Sequence, residues 1–398
     1  MTASDTAEAI PLFTGSLPAD NPFAAADAPA RSLNRARLVE LPVVVGVEDL
    51  LGRSASEMLS ATAVTALVRT TADRLALDPN APDLLRAFDA SFDDPKSSPA
   101  ALAVAQEVGR RLGALLLMLW RGDTANRAAR PEWGEAHWAT WRAIRRVVIG
   151  GGLVAGRLGE AAVPAAAAFL AAADCPVTVE RSPYGDAIAL VGLARHTLAD
   201  TERMLLFDFG HTAVKRGLAT YRDGRLSGVT RRPSLPPPCE NGWPEHTGPR
   251  WAQQRWERMA DTIAAEWAAV FAPGRGARVA VGLCLASHLQ DGHPVGRDRG
   301  CYTILQELGS HLATFVRDEL VARLGSFRSL ALLHDGLAAA STCTGEAHTV
   351  VLTLGTAIGV GYGVVGEGLR PLEADGFRLT QQSIPRQPFG RNSLIGSH

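Results

Sequence analysis

Two glycine-marked β hairpins limit what this chain can fold into more than any other feature. The first, "LLFDFGHTAVKRGLATYRDGRL" at residues 205–226, predicts a strand over Met204–Phe207, a turn over Asp208–Thr212 and a strand over Ala213–Tyr221. The second is "TVVLTLGTAIGVGYGVV" at residues 349–365. Small residues at such turns let backbone N–H groups approach an anion closely. Together the two hairpins predict a site that holds a polyphosphate from both sides.

Strands and helices alternate around these hairpins. A β run in "RRVVIGGGLVAG" precedes a helical pattern, and "VTVE" precedes the helix start "YGDAIALVGLAR". Between the hairpins we expect a helix over 251–271, the strand "RVAVGLCL", a helix over 304–324 and the strand "SLALL". Residues 43–119 have mainly helical spacing, and residues 1–42 have no clear periodicity, so we expect them to form an extended or partly disordered leader. The alternation predicts an α/β protein.

The composition limits the classes of partner that this protein is expected to bind. The chain has 398 residues, enough for two domains, with 46% apolar and 20% charged residues. A formal net charge of -1 gives no reason to expect a nucleic acid or a membrane surface as a partner. No apolar run is long enough to span a bilayer, so we expect a cytoplasmic protein. A homodimeric state is left open.

Polar residues in the hairpin turns suggest phosphate chemistry. In the first turn Asp208 would hold a magnesium ion through water, Thr212 would contact phosphate, and Lys215 follows close by. In the second turn the residues expected to face the remaining phosphates are Gly355, Thr356 and Gly359. Each motif alone also fits an ordinary hairpin, so the argument depends on the ordered set.

Two further stretches complete the set. Asp335 in "LALLHDGLAAAS" follows a strand and begins a helix, which is where functional groups lie in open α/β sheets. It has the chemistry of a general base, although an N-cap aspartate is the plain alternative. Gly150, Gly151 and Gly152 follow a buried strand, where adenine could lie against the backbone. A tight strand-to-helix turn explains them equally.

In combination these motifs resemble the ROK family of sugar kinases, in the superfamily that also contains actin and heat-shock chaperones. "DFGHTAVKRGL" is similar to the family's first phosphate motif, D-x-G-G-T-x-x-K-x-G-L, with His211 replacing the second glycine. "GTAIGVG" is similar to G-T-G-I-G-x-G, and "HDGLAAA" to N-D-A-N-A-A-A. The resemblance implies that Gly210 and His211 belong to the phosphate turn, that Asp335 is the general base and that His334 contacts the substrate.

The order of the motifs is unusual. "VVIGGGL" and "GDAIALVGLA" resemble the family's last two motifs, yet here they precede the first. We therefore expect an α/β, two-domain actin-like ATPase (ribonuclease H-like) fold that is circularly permuted. One domain would comprise residues 196–346, and the second, nucleotide-binding domain would comprise residues 43–195 and 347–398. A helical domain fused before a truncated kinase is the alternative.

The resemblance implies an ATP- and Mg²⁺-dependent kinase that phosphorylates a hydroxyl of a sugar or sugar-like polyol, such as a hexose, amino sugar or cyclitol. "VEDLLGRSASEML" resembles a sugar-binding segment in which Glu48 would contact the substrate. The family's G-E-x-G-H segment and its cysteine-rich zinc module are missing, which leaves Glu373 as a substitute ligand. A catalytically weakened regulator that binds sugar or nucleotide is the alternative function.

Overall fold

The computed structural model describes residues 10–15, 17–24, 28–44, 46–238, 247–272, 276–295, 301–343, 345–346, 348–363 and 368–382. The strands of these ranges are β1 Leu12–Phe13, β2 Arg146–Gly150, β3 Thr178–Arg181, β4 Arg203–Phe209, β5 Val214–Arg222, β6 Arg225–Leu235, β7 Val279–Leu285, β8 Leu289–Gln290, β9 His293–Pro294, β10 Leu330–His334, β11 Thr349–Leu354, β12 Ile358–Tyr362 and β13 Arg378–Gln381. The α-helices are α1 Ala28–Arg31, α2 Ala55–Leu59, α3 Ala61–Thr70, α4 Ala72–Leu75, α5 Leu84–Ala90, α6 Ser98–Arg121, α7 Thr124–Ala128, α8 Glu135–Ala143, α9 Arg157–Ala172, α10 Ile188–Leu193, α11 Pro249–Val270, α12 Leu312–Leu324 and α13 Asp335–Ala340. None of the helices in the described ranges is long and apolar enough to cross a membrane.

The larger of the two main sheets has seven strands in the order β1-β10-β7-β4-β5-β6-β13. The first predicted hairpin forms β4 and β5, which pair antiparallel, as do β5 and β6. All other neighbours in this sheet are parallel. The mixed α/β class expected from the alternating pattern is therefore confirmed.

The central strand β4 is buried on both faces. Leu205, Phe207 and Phe209 point into one apolar core, which also contains residues of α11 and α12. Met204 and Leu206 point into another core, which contains α10 and α13. Both faces need cover because successive side chains of a strand alternate between the two faces. This explains why the run before Asp208 is continuously apolar.

The smaller sheet joins segments that are far apart in the chain. Its four strands lie in the order β12-β11-β2-β3. The second predicted hairpin forms β11 and β12, and β11 pairs parallel with β2, so that Val350 lies beside Val147. A third apolar core covers one face of this sheet with residues from α6 and α9.

Helices α10 and α13 lie between the two sheets. Val148 of β2 and Val351 of β11 belong to the same apolar cluster as these helices and as Met204 of β4. The two helices cross closely, since a Cβ added at Gly192 would lie 1.7 Å from the carbonyl oxygen of Ala338. The N-terminus of α13, which carries Asp335, consequently lies where the two sheets face each other.

Three segments differ from expectation. The leader is packed rather than loose in its described part, because β1 pairs with β10 and Phe23 and Leu38 are fully buried. β13, from the segment grouped with the second domain, pairs with β6 of the large sheet. The expected helix over 304–324 is divided into a 3₁₀ turn, Thr303–Leu308, and α12 by Gly309, whose φ of 135° no helix continues.

Candidate active site

Asp208, which is buried, and Lys215, which is partly exposed, form an ion pair at the carboxyl end of β4. They are partners in the β4–β5 ladder, and Lys215 Nζ lies 3.2 Å from Asp208 Oδ2. Burial raises the pKa of the Asp208 carboxyl, against the opposing charge of Lys215. The carboxylate of Asp208 raises the pKa of Lys215 in turn. The register therefore places a positive and a negative group at the turn predicted to bind phosphate.

Asp335 lies at the same end of the sheet. Asp208 is level with Cys284, and Cys284 is level with Leu333, two residues before Asp335. Since neighbouring strands lie about 4.8 Å apart, β4 and β10 are separated by about 10 Å. The carboxyl ends of parallel strands lie at one edge of a sheet, so Asp208 and Asp335 lie at the same edge although they are far apart in the chain.

His334 and Asp335 form a second close pair. His334 Nε2 lies 2.9 Å from Asp335 Oδ1, and the backbone N–H of Gly336 donates to the same oxygen at 2.7 Å. Burial raises the pKa of the Asp335 carboxyl, but His334, the Gly336 N–H and His211 outweigh it and lower the pKa to about 2. The carboxyl is therefore ionised at neutral pH.

Asp186 is a third carboxylate of this cluster that the sequence analysis missed. It begins the segment before α10 and accepts a hydrogen bond from Arg231 at 2.7 Å. Its charge contributes to the raised pKa of both Asp208 and Lys215. The signal was present, because Asp186 belongs to the "GDAIALVGLA" segment that carries part of the family resemblance.

A cleft of about 740 Å³ joins the predicted nucleotide-binding turns. Gly152, Thr212, Gly355 and Thr356 all line it. These residues follow β2, β4 and β11, so the cleft lies between the large and the small sheet. Three segments that were selected independently from the sequence thus lie around one cavity.

A close backbone contact brings two of these turns together. Gly151 has φ 99°, and a Cβ there would lie 2.4 Å from the carbonyl oxygen of Leu354, the residue before Gly355. Only glycine tolerates both the left-handed backbone and this approach. An added Cβ at Gly152 would meet nothing within 4 Å, so this residue faces open space in the cleft. Ala61, the first residue of α3, donates its N–H to the Gly355 carbonyl at 2.7 Å.

Charged side chains of both signs from α5, the segment after it and α9 also line the cleft, together with apolar side chains. Arg157 pairs with Asp93 at 2.7 Å and with Glu160 at 3.1 Å. Asp89 accepts a hydrogen bond from the backbone N–H of Leu158 in the first turn of α9. Guanidinium groups suit phosphate oxygens and carboxylates suit hydroxyl groups, so this wall can bind both parts of a nucleotide.

Four of the predicted residues do not line the cleft. Gly150 packs against Ile188, and its backbone leaves no room for a larger residue. Gly210 closes its turn by donating to the Ala213 carbonyl at 3.1 Å. Gly359 lies opposite Thr353, where a Cβ would be 2.3 Å from the threonine hydroxyl. His211 precedes Thr212 and lies close enough to Asp335 to affect its pKa.

Glu48 and Glu373 lie away from this cluster. Glu48 is exposed and accepts a hydrogen bond from the backbone N–H of Gly46 at 3.3 Å. Glu373 lies beside Arg222 and Leu226, near the start of β4 rather than its end. Because β4 runs about 17 Å from Arg203 to Asp208, the structure does not bring Glu373 to the end of the sheet that carries Asp208. Its segment follows β6 along the edge of the large sheet.

Among the residues that the structure describes, no group of three or more histidine, cysteine, aspartate or glutamate side chains could hold a metal ion. Asp208 is a single carboxylate, which suits a Mg²⁺ ion only where phosphate and water supply the other ligands. Comparison with protein-family models and with curated protein sequences found no match to this chain.

Proposed function

We propose that this protein is an ATP-dependent phosphotransferase that acts on the hydroxyl of a sugar or sugar-like polyol. The meeting of three independently selected turns around one cleft carries the proposal. Its volume of about 740 Å³ lies within the range of small-molecule sites. The carboxylates of Asp208 and Asp335 lie at the carboxyl ends of β4 and β10, and Thr212 of the turn that follows β4 lines this cleft.

We further propose that the fold is the two-domain actin-like ATPase fold, circularly permuted, as the ROK family resemblance implies. The parallel pairing of β11 with β2 supports this, because it joins the second hairpin to strands that come much earlier in the chain. The order β6-β5-β4-β7-β10, with an antiparallel hairpin followed by parallel strands, also supports it. A helical domain fused before a truncated kinase would not be expected to supply strands to the sheet that contains the second hairpin.

The roles of the side chains follow from their positions. Backbone N–H groups of the Gly355–Thr356 turn and the hydroxyl of Thr212 would hold phosphate oxygens at the cleft. Asp335, which is ionised at neutral pH, would draw the proton from the attacking hydroxyl. Lys215 would offset negative charge beside Asp208. Mg²⁺, bound with ATP and held through water by Asp208, would supply charge neutralisation at the phosphates.

A second candidate is a catalytically weakened protein that binds nucleotide or sugar and regulates another process. One observation favours it: Lys215 already neutralises Asp208, the carboxylate assigned to magnesium. Such a protein would bind ATP without forming a phosphorylated product. The two candidates therefore differ in product formation and agree in nucleotide binding.

The test is ATP turnover with a panel of hexoses, amino sugars and cyclitols, measured for the natural protein, Asp335→Asn and Asp318→Asn. Asp318 is an exposed carboxylate of α12 and serves as the matched control. We expect Asp335→Asn to lower kcat by about 10²- to 10⁴-fold and Asp318→Asn to leave it unchanged. Full activity of Asp335→Asn would remove the proposal, and ATP binding without product would favour the regulator.

A further inference from the structure

The turn that joins β4 to β5 makes one of the two hydrogen bonds expected of a two-residue hairpin turn. Gly210 and Ala213 flank the turn residues His211 and Thr212, and the Gly210 N–H donates to the Ala213 carbonyl at 3.1 Å. In a fully closed turn the Ala213 N–H would donate to the Gly210 carbonyl in return. Both residues are described by the structure, and this reciprocal bond is missing between them.

The Gly210 carbonyl is bound by Tyr302 instead. The Tyr302 hydroxyl donates to this oxygen at 3.0 Å. Tyr302 is fully buried, and its ring meets that of Phe209 edge-on, with ring centroids 6.0 Å apart. Burial raises the pKa of the Tyr302 hydroxyl, and the charge of Asp208 raises it further. The hydroxyl therefore stays protonated and remains a donor to the carbonyl.

Tyr302 reaches the turn from the face of the large sheet that lies away from the cleft. Its ring belongs to the apolar core that contains Phe209 and residues of α11 and α12. The opposite face carries α10 and α13, which lie between the two sheets, as does the cleft that Thr212 lines. The Gly210 carbonyl oxygen carries partial negative charge and would repel a phosphate. Tyr302 therefore holds this oxygen toward the core.

The N–H groups of the next residues in the turn are available to a ligand. Among the residues that the structure describes, the N–H groups of Thr212 and Ala213 have no hydrogen-bond acceptor. Thr212 lines the cleft together with Gly355 and Thr356 of the second turn. Successive backbone N–H groups in a turn form a concave site for anions. The first turn thus offers two donors to a phosphate group.

Tyr302 is itself fixed by the residues on either side of it. The hydroxyl groups of Thr303 and Ser287, which follows β7, share a hydrogen bond of 3.0 Å. The Cys301 carbonyl accepts a hydrogen bond from Arg255 of α11 at 3.2 Å. Contacts with two elements of the same core therefore determine where the tyrosine hydroxyl lies.

We propose that Tyr302 is a positioning residue of the phosphate-binding turn. By holding the Gly210 carbonyl, it keeps the N–H groups of Thr212 and Ala213 available to the terminal phosphates of a nucleotide. The inference rests on the part of the proposed function that places a nucleotide in the cleft. Without the hydroxyl the carbonyl loses its donor, which is unfavourable for a buried group. We then expect the Ala213 N–H to donate to it, so that the turn loses a phosphate donor.

The test compares Tyr302→Phe with Tyr221→Phe in the full chain. Tyr221 is the matched control, because its hydroxyl also donates to a backbone carbonyl, that of Ala194, but near the start of β4. Calorimetric titration with Mg²⁺ present measures the binding of ATP, inorganic tripolyphosphate and adenosine. We expect Tyr302→Phe to weaken the binding of ATP and of tripolyphosphate at least tenfold and to leave that of adenosine unchanged. Tyr221→Phe should leave all three affinities unchanged.

Hydrogen exchange provides a second readout. In the natural protein the Thr212 and Ala213 amides should exchange quickly and become protected when tripolyphosphate binds. In Tyr302→Phe the Ala213 amide should be protected without a ligand, because it would donate to the Gly210 carbonyl. A purely structural role of Tyr302 predicts the reverse, namely faster exchange and a lower urea midpoint at unchanged affinity for tripolyphosphate.

The outcomes separate this inference from the proposed function. Equal affinity of the natural protein and Tyr302→Phe for tripolyphosphate would overturn the inference and leave the proposed function intact. Weaker binding in both tyrosine variants would also overturn it, because general loss of packing would then be the cause. Weaker binding in Tyr302→Phe alone, by a protein that phosphorylates no acceptor, would support the inference and favour the regulator. A natural protein that binds neither ATP nor tripolyphosphate would overturn both.

Discussion

Two adjacent glycines, Gly151 and Gly152, should respond in opposite ways to substitution. Gly151 has a left-handed φ of 99°, and an added Cβ would lie 2.4 Å from the Leu354 carbonyl oxygen. Gly152 has no such φ, and its Cβ would meet nothing within 4 Å. Alanine at Gly151 should therefore disturb the fold, while a side chain at Gly152 should enter the cleft.

The magnitudes follow from these contacts. A left-handed backbone costs a residue with a Cβ about 1–2 kcal/mol, and overpacking a rigid contact adds about 1–3 kcal/mol. Gly151→Ala should thus lower the free energy of unfolding by about 2–5 kcal/mol. Gly152→Ala should change it by less than about 1 kcal/mol, since alanine also reduces the freedom of the unfolded chain.

Urea titration measures the first effect, and calorimetric titration with ATP measures the second. Gly152→Leu should keep the stability of the natural protein while weakening ATP binding at least tenfold, because leucine fills the cleft beside Thr356. Natural stability in Gly151→Ala would refute the close-contact argument. Unchanged ATP affinity in Gly152→Leu would show that the nucleotide does not use this cleft.

Two further predictions concern buried charges. His196 is 4% exposed, and burial lowers its pKa to about 4, so between pH 6.5 and 4 the unfolded chain binds a proton that the folded chain does not. This residue should consequently lower the free energy of unfolding by about 2 kcal/mol between pH 7 and pH 5. Urea titrations at both pH values should show that this contribution is absent in His196→Gln. Lys215→Met should lower the free energy of unfolding by about 3–5 kcal/mol because it leaves Asp208 buried without its charge partner. Recovery of stability in the double variant with Asp208→Asn would identify the unpaired charge as the cause. No loss of stability in the single variant would contradict the argument.

Local sequence patterns were sufficient for most elements. The continuous apolar run of β4 and the glycine turn before α9 could both be predicted from the sequence, because the side-chain period of a strand and the chemistry of a turn depend on near neighbours. The helix expected over 304–324 was wrong, since Gly309 interrupts it with a backbone that apolar spacing does not reveal. The place of β13 was also unreadable, because an edge strand gains its partner only through tertiary contact.

The candidate site divides in the same way. The turns that carry small residues and acidic groups suited to phosphate could be recognised from the sequence, since each motif is local. Long-range packing places Gly152, Thr212 and Thr356 around one cleft, Glu373 near the start of β4, and part of the leader in the wall of a cavity beside His334. Those facts depend on strand order and register, which bring residues together across hundreds of positions and leave no mark on any one segment.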